Sequence, residues 1–207
     1  MMHAEVLPPE QRACLRQLGP AATALGFHLI GGTAVAIHLG HRQSVDFDWC
    51  TQQFPVAPVN LTATLAGRGV PLAPTSLAHG TVHGSVAGVK VSFLEFAPPL
   101  LEPAIDWPEY GCPLASLADL AAMKLLAVAQ RGTKKDFVDI HALRGVMPLA
   151  AMIDAYCRRF GLSDPARVLA SLCYFDDAEA EPMPTMLRPV DWEVIKAGIR
   201  REVRAIA

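Results

Sequence analysis

The sequence predicts a mixed α/β fold, a small mixed sheet with flanking helices, followed by a helical C-terminal portion. Three observations support this prediction. Before residue 97, short β-branched and aromatic runs alternate with segments of helical periodicity. After residue 113, every periodic segment is helical. The intervening stretch is rich in proline and acidic residues and is typical of a loop, so we expect an α/β core over 1–112 and a helical portion over 113–207 that completes the site.

The elements of the first half follow from residue spacing and from helix breakers. Residues 9–25 have helical periodicity and end at Gly26, and "FHLIGG" fits a buried strand that runs into a tight turn. "TAVAIHLG" predicts a two-turn helix, "SVDFDWC" alternates as a strand does, and "VNLTATLAGRG" predicts a helix stopped by glycine. Residues 81–96 contain two β-rich runs with Gly88 between them, which predicts a hairpin.

The second half predicts a series of helices. Ser116 stands three residues before Asp119, which is the spacing of a capping box, so "SLADLAAMKLLAVAQRG" should begin a helix there. "KKDFVDIHALRG", "PLAAMIDAYCRRFG" and "DPARVLASLCYF" predict three further helices. A last helix is expected from about residue 191 to 207.

Composition limits the classes of function. The 207 residues, 52% hydrophobic, suffice for one sizeable core. A net charge of -2 gives no global field for nucleic acid, so an RNA contact would need a local basic patch. Five cysteines without a CxxC pair predict neither a disulfide framework nor a zinc site, and reduced thiols indicate a cytoplasmic protein. Neither a signal peptide nor a membrane span is expected.

Two aspartates in a predicted strand raise the question of function. Asp46 and Asp48 are two residues apart, so their carboxylates should share one face, while Val45, Phe47 and Trp49 face the core. Two carboxylates about 4 Å apart repel each other by roughly 4 kcal/mol at an effective dielectric of about 20. A bound cation relieves this repulsion, and Mg²⁺ prefers carboxylate oxygens together with substrate phosphates. The pair therefore predicts a site for Mg²⁺, or alternatively Mn²⁺, and a nucleoside triphosphate (NTP).

An upstream turn supports the same interpretation. Gly31, Gly32 and Thr33 end a predicted strand and open a helix. Backbone N–H groups at a helix N-terminus favour phosphate, and glycines allow it to approach closely. Taken alone, two glycines fit an ordinary strand-to-helix turn, and Asp-x-Asp occurs on many exposed strands. It is the combination, in this order, that indicates a nucleotide site.

The segment "GGTAVAIHLGHRQSVDFDW" resembles the first motif of the polymerase-β type of nucleotidyltransferase fold, in particular the AbiEii/AbiGii toxin branch. A second segment, "DLAAMKLLAVAQRGTKKDFVDI", is similar to the later motif of that family. Together the segments cover about forty of the 207 residues and lie about seventy residues apart, as the family requires.

The resemblance implies a role for each matched residue. In the first motif, Gly31, Gly32 and Thr33 would form the phosphate-side turn. Arg42 and Ser44 would lie near the triphosphate. These five residues would bind the nucleotide.

Catalytic roles are implied for four residues of the two motifs. Asp46 and Asp48 would be the metal ligands. Lys124 would reach the nucleotide phosphates, and Asp136 would act as a metal-proximal or base-like group.

Supporting roles are implied for two more residues: Arg131 would assist nucleotide binding, and Asp139 would support the site. From spacing alone the alternatives stay open, because Lys124 and Arg131 also suit a solvated helix face. Asp136 and Asp139 also suit the N-terminus of a helix.

Two further features of the sequence each allow a functional and a structural interpretation. Many enzymes of this fold carry a third carboxylate on a later strand, and Glu95 in "VSFLEF" has that setting, although a strand-end glutamate facing water is the alternative. Lys134 and Lys135, with Arg131 and Arg144, form the best local patch for a polynucleotide, although a solvated helix turn is the alternative.

The expected function is therefore Mg²⁺-dependent transfer of a nucleotidyl group from an NTP, with release of pyrophosphate, by the toxin half of a toxin–antitoxin or phage-defence pair. The resemblance implies an RNA (tRNA) or protein acceptor and a cognate antitoxin. One alternative is an inactive module of this fold that acts through a protein partner. Another is an Asp-x-Asp glycosyltransferase, which would need neither Lys124 nor Asp136.

Overall fold

The computed structural model of the protein describes residues 2–206. A mixed sheet is built from β1 (His28–Ile30), β2 (Phe47–Thr51), β3 (Leu72–Ala78), β4 (Thr81–Val86), β5 (Val89–Glu95), β6 (Ile105–Trp107) and β7 (Cys112–Leu114). The helices are α1 (Pro9–Thr23), α2 (Gly31–Leu39), α3 (Pro58–Ala66), α4 (Leu117–Gln130), α5 (Lys134–Leu143), α6 (Leu149–Phe160), α7 (Ala166–Cys173), α8 (Asp176–Glu179) and α9 (Trp192–Ile206). The predicted mixed α/β fold with a helical C-terminal portion is confirmed.

The sheet brings the two aspartates to its centre. Its strand order is β3-β4-β5-β2-β1-β7-β6, with β2 parallel to β5, β1 parallel to β7 and the other pairs antiparallel. Strand β2 therefore has a neighbour on each side. Asp48 lies opposite Ile30 of β1 and opposite Ser92 of β5.

The face of the sheet away from the aspartates packs into the core. Phe47 and Trp49 are fully buried, as their alternation with Asp48 predicts. Trp49 stacks on Phe93 with ring centroids 6.5 Å apart, and Phe93 meets Phe27 edge to face at 5.0 Å. This packing fixes the side of β2 on which the carboxylates stand.

Helix α4 begins at the predicted cap. The Ser116 hydroxyl accepts a hydrogen bond from the backbone N–H of Asp119 at 3.1 Å and donates one to the Asp119 carboxylate at 2.7 Å. That buried carboxylate also accepts from the N–H of Leu101 and pairs with Arg159 of α6. Asp119 is therefore a structural residue that joins α4, α6 and the preceding loop.

Three details differ from the sequence expectations. Strand β3 was not among the predicted strands. It contains Pro74, which is tolerated because β3 is an edge strand with an irregular register between Pro74 and Ser76. The expected loop 97–113 contains β6 and the start of β7, so the change from sheet to helices falls after Leu114 rather than at residue 112. Val45 precedes β2 and is 49% exposed instead of facing the core.

No helix within residues 2–206 combines the length and the apolar character that a membrane crossing requires.

Candidate active site

A cleft of about 300 Å³ opens where α2 begins, beside the start of β2. Most of the residues predicted for the site line it: Gly31, Gly32, Thr33, Arg42, Ser44, Asp46, Asp48, Lys124 and Arg131. They come from the two sequence motifs, which are about seventy residues apart in the chain. The fold therefore brings both motifs to one place.

The segment between α2 and β2 is tied to α2 by a short hydroxyl network. The side chains of Thr33 and Ser44 share a hydrogen bond of 2.6 Å, and the Thr33 hydroxyl also donates to the backbone carbonyl of Asp46. Both hydroxyl side chains are buried. Thr33 and Ser44 thus hold the backbone of Asp46 in place, which is a positioning role distinct from the triphosphate contact expected of Ser44.

The two aspartates differ in environment. Asp46 enters the hydrogen-bond network only through its backbone carbonyl, so its carboxylate has no partner within residues 2–206 and faces the cleft. Burial raises the pKa of Asp48, and the charge of Asp46 adds to this, while a hydrogen bond from Ser92 and the charge of Lys124 oppose it. The ionised pair therefore carries an electrostatic cost that a cation would offset.

This donor set fits Mg²⁺. Two carboxylates supply hard oxygen ligands, and Mg²⁺ is commonly held by one or two carboxylates together with substrate phosphates and water. Within residues 2–206 no cluster of three or more His, Cys, Asp or Glu side chains is arranged to hold a metal. An ion at Asp46 and Asp48 would therefore complete its coordination with phosphate oxygens and water.

The glycine turn makes room for one of these carboxylates. Gly31 has φ +71°, and a Cβ atom built on it would lie 2.5 Å from Oδ2 of Asp48. At Gly32, a Cβ would collide with the Arg42 guanidinium. A side chain at either position would displace the carboxylate or the guanidinium, so this arrangement favours glycine at both. The glycines therefore admit protein side chains, in addition to any phosphate that approaches the N-terminus of α2.

We expect Gly31→Ala to lower catalytic turnover by displacing Asp48. A shift of about 1 Å in a reacting group costs on the order of 100-fold in rate, and the substitution also imposes backbone strain of about 1–3 kcal/mol. The matched control is Gly69→Ala, since Gly69 has φ +80° but no atom within 4 Å of its built Cβ. Equal effects of both substitutions on metal-dependent NTP binding and turnover would mean that strain alone, and not contact with Asp48, explains the loss.

A buried ion network lies behind the cleft, around Asp139. Arg42 grips both carboxylate oxygens of this residue, with Nε–Oδ1 at 2.6 Å and Nη2–Oδ2 at 2.9 Å. Lys124 Nζ pairs with Oδ2 at 2.6 Å, and His41 Nε2 is hydrogen-bonded to Oδ1 at 2.8 Å. Burial favours the protonated acid, but Lys124 and Arg42 outweigh it and hold the pKa of Asp139 well below its usual range.

Asp136 is engaged in the same way. It accepts from Lys124 Nζ at 2.9 Å, Thr133 Oγ1 at 2.6 Å and Arg131 Nε at 3.2 Å, and it is fully buried. Burial raises its pKa, but Lys124 and Thr133 prevail and lower it below the usual range. This carboxylate does not line the cleft, so the structure does not place it as the metal-proximal or base-like group expected from the sequence.

The cations of the cleft fall into two kinds. Arg42 and Lys124 are buried and held by Asp139 and Asp136, and both also line the cleft. Arg131 is 60% exposed despite its contact with Asp136, and Lys135 is exposed at the rim. Arg42 and Lys124 therefore form a rigid positive floor at the bottom of the cleft. Arg131 and Lys135 add positive charge at the opening of the cleft, where it would face a phosphate chain.

Sequence reasoning missed five of the residues that line the cleft, which are Gln43, Val45, Lys135, Pro184 and Thr185. Lys135 was assigned only to a polynucleotide patch, although its position next to Asp136 at the start of α5 was a usable signal. Pro184 and Thr185 close one wall because the Thr185 carbonyl accepts from the N–H of Gln43 at 2.8 Å. The local sequence contains no signal that predicts this backbone pairing of Thr185 with Gln43.

The expected basic patch is not assembled. Lys134 is buried, and its ammonium donates to the backbone carbonyls of Glu179 and Glu181. Arg144 pairs with Glu202 on α9. Only Arg131 and Lys135 of the four residues face the cleft.

Glu95 lies away from the cleft. It stands opposite Thr51 at the end of β5, three residues beyond Ser92, and its carboxylate accepts from the N–H of Phe54 at 2.9 Å. The expected third carboxylate is therefore not beside Asp48. The strand-end alternative describes this residue better, with a loop N–H rather than water as the partner.

Comparisons with known proteins found a matching family, a similar chain and a similar fold. Residues 85–206 match the family described as nucleotidyl transferase AbiEii toxin of type IV toxin–antitoxin systems. An uncharacterized protein of Aquifex aeolicus (strain VF5) is 32% identical over 203 residues, which is 96% of each chain. Among solved structures, MenT4, a nucleotidyltransferase toxin from Mycobacterium tuberculosis, aligns with a TM-score of 0.62 over 93% of this chain and 81% of that one. At 14% identity this last likeness is one of fold.

Proposed function

Because the chain belongs to the AbiEii family of nucleotidyltransferase toxins, we propose that it transfers a nucleotidyl group from an NTP to a hydroxyl of an RNA, tRNA foremost, or of a protein. Mg²⁺, or alternatively Mn²⁺, is the proposed cofactor. The family also implies a cognate antitoxin as a partner. The proposed compartment is the cytoplasm, where NTPs are available.

One observation carries the proposal: two carboxylates that have no ion-pair partner within residues 2–206 line the same cleft as four cationic side chains, Arg42, Lys124, Arg131 and Lys135, at the N-terminus of α2. Carboxylates of this kind suit a divalent ion, and cations with helix N–H groups suit a triphosphate. A glycosyltransferase with an Asp-x-Asp pair would not require Lys124 to line the same cleft, so this alternative is disfavoured.

We assign the roles as follows. Asp46 and Asp48 hold the ion, which when bound neutralises phosphate charge and helps to align the displaced group. The N-terminus of α2 at Gly31 and Gly32 receives phosphate oxygens. Arg131 and Lys135 bind the outer phosphates.

Arg42 and Lys124 are proposed to stabilise phosphate charge from fixed positions. Arg42 and Lys124 are already held by buried carboxylates, so their charge faces the phosphates with little reorganisation during the reaction. Asp136 and Asp139 are proposed to act through these cations and not on the substrate.

The proposal is tested by transfer of radiolabel. The chain is incubated with each NTP, labelled either at the α-phosphate or at the γ-phosphate, with and without Mg²⁺, in the presence of total tRNA or of cell protein. Nucleotidyl transfer predicts that the α label enters one acceptor fraction only when Mg²⁺ is present. The γ label should leave as pyrophosphate.

The γ-labelled NTP is the control that distinguishes nucleotidyl transfer from phosphoryl transfer. Incorporation of γ label would indicate phosphoryl transfer and would overturn the proposal. Absence of label in both fractions, together with absence of Mg²⁺-dependent NTP binding, would favour the inactive binding module.

A further inference from the structure

A second cavity lies on the other side of Asp48. It has a volume of about 390 Å³ and shares Gly31, Asp48, Lys124 and Arg131 with the first cleft. Its walls are mostly apolar and come from β5 and α4, with Leu94, Leu120 and Met123 among them. Asp48 therefore separates a polar, cationic space from a more apolar one.

The two spaces suit the two halves of a displacement reaction. The attacking and leaving oxygens of phosphoryl-type transfer stand roughly in line with the phosphorus. With the triphosphate tail in the cationic cleft, the acceptor must approach from the other side of the metal-binding pair. The second cavity is the space available there, and it reaches the strands β5 and β4.

Three side chains form one row across these strands. Asp48 of β2 is opposite Ser92 of β5, and Ser92 is opposite His83 of β4. Residues paired across strands share a face of the sheet, and all three line the second cavity. Two strand spacings, about 10 Å of backbone, separate Asp48 from His83. Ser92 stands between the two in the row, so an acceptor hydroxyl and an α-phosphate would occupy the cavity that all three side chains line.

The hydrogen bond between Ser92 and His83 leaves one imidazole nitrogen free. His83 Nδ1 is hydrogen-bonded to the Ser92 hydroxyl at 3.1 Å, whereas Nε2 has no hydrogen-bond partner within residues 2–206. In the tautomer that carries its proton on Nδ1, Nε2 presents a lone pair to the cavity.

We propose that His83 is the general base that takes the proton of the acceptor hydroxyl in the second cavity. This inference rests on the proposed function. The acceptor O–H proton passes to Nε2 of His83, and the acceptor oxygen forms a bond to the α-phosphorus. The bond from that phosphorus to the bridging oxygen of the β-phosphate breaks, and its electron pair leaves with pyrophosphate. The imidazolium then releases its proton to water.

The assignment accounts for the position of Glu95. In this fold a third carboxylate on a later strand was expected, but Glu95 is three residues from the row and holds the loop at Phe54. Ser92 occupies the place beside Asp48, and His83 is the basic side chain that Ser92 hydrogen-bonds. His83 is exposed at the edge of the cavity, so an acceptor can reach it.

The test separates proton transfer from a structural effect. In His83→Asn the side-chain amide keeps a donor near the position of Nδ1, so the bond to Ser92 is retained while the base is lost. His83→Ala removes both and leaves space for added imidazole. The matched control is His79→Asn, because His79 is exposed in the turn before β4 and does not line the cavity.

Each variant is measured for Mg²⁺-dependent NTP binding and for transfer of α label at saturating NTP. We expect His83→Asn to bind NTP as the wild type does but to transfer roughly 10²–10⁴-fold more slowly, the contribution of a general base. Added imidazole should restore transfer by His83→Ala in a saturable manner. His79→Asn should match the wild type in both measurements.

Two results overturn the inference. Transfer by His83→Asn at the wild-type rate would show that no base is needed there, and failure of imidazole to rescue His83→Ala would show that the loss is structural. Both results leave the proposed function intact. If the wild type itself neither binds NTP with Mg²⁺ nor transfers label, the proposed function fails and this inference with it.

Discussion

Asp46→Asn and Asp48→Asn, each made alone, should abolish Mg²⁺-dependent NTP binding and reduce nucleotidyl transfer by about a thousandfold. The two carboxylates are the only acidic side chains that line the cleft among the described residues. Loss of one ligand removes several kcal/mol of charge stabilisation, and about 4 kcal/mol corresponds to roughly a thousandfold in rate. Calorimetric titration with NTP and Mg²⁺, followed by the transfer assay, measures both quantities.

The same substitutions should not weaken the folded protein. Burial and the charge of Asp46 raise the pKa of Asp48, so removing either charge relieves an unfavourable interaction in the absence of metal. We therefore expect an unchanged or higher melting temperature without Mg²⁺, and a smaller increase than the wild type shows when Mg²⁺ and NTP are added. Lower activity with equal or greater stability is the pattern expected of a functional site.

The control for these variants is Asp106→Asn, which removes an exposed carboxylate from β6 of the same sheet. It should leave binding, transfer and melting temperature as in the wild type. If Asp46→Asn and Asp48→Asn also behave like this control, the pair does not bind the catalytic metal. The inactive binding module would then be the better description.

The sequence was sufficient for those parts of the site that depend on local spacing. Asp46 and Asp48 project to one side because residues two apart in an extended chain do so, and Phe47 and Trp49 anchor the other side in the core. The turn at Gly31 follows from its position between a strand and a helix. Likewise, the Ser116 cap lies where its spacing to Asp119 places it.

The remaining parts depend on contacts between distant segments. Spacing shows that Lys124 and Arg131 share a helix face, but not that buried carboxylates hold Lys124 in place. The wall formed by Thr185 depends on a backbone bond to Gln43, and the row that contains Ser92 and His83 depends on strand register. Strand register and long-range pairing are set by the packing of the whole sheet, so they cannot be derived from the spacing of residues in a single sequence.

Asp139→Asn should destabilise the protein by about 3–5 kcal/mol, the cost of removing one partner from a buried ion pair. Asp139 is completely buried and is contacted by Arg42, Lys124 and His41. Asparagine has nearly the same shape, but its amide N–H₂ would face donors and leave two buried cations without this neutralising charge. Thermal unfolding should report a fall in melting temperature on the order of 10 °C for a chain of this size.

The pH dependence distinguishes this ionic effect from a packing defect. The pKa of Asp139 lies below its ordinary value of 3.8 in the folded protein, so at low pH the unfolded chain binds the proton more readily than the folded one. The stability that the charge contributes is thus fully present above pH 3.8 and is lost as the pH falls toward the folded-state pKa. The difference between wild type and Asp139→Asn should be largest near neutral pH and should narrow in acid, whereas a packing defect would give a constant difference.

Asp154→Asn is the matched control at the surface. Asp154 pairs with Arg158 one helical turn away at 3.1 Å, and both side chains are more than half exposed. Asp154→Asn should change stability by no more than about 0.5 kcal/mol, because water screens an exposed pair. If Asp139→Asn is equally mild, the buried network is not a structural support for the cleft. Arg42 and Lys124 would then be free to move toward the phosphates, and the rigid positive floor that we ascribe to them would be wrong.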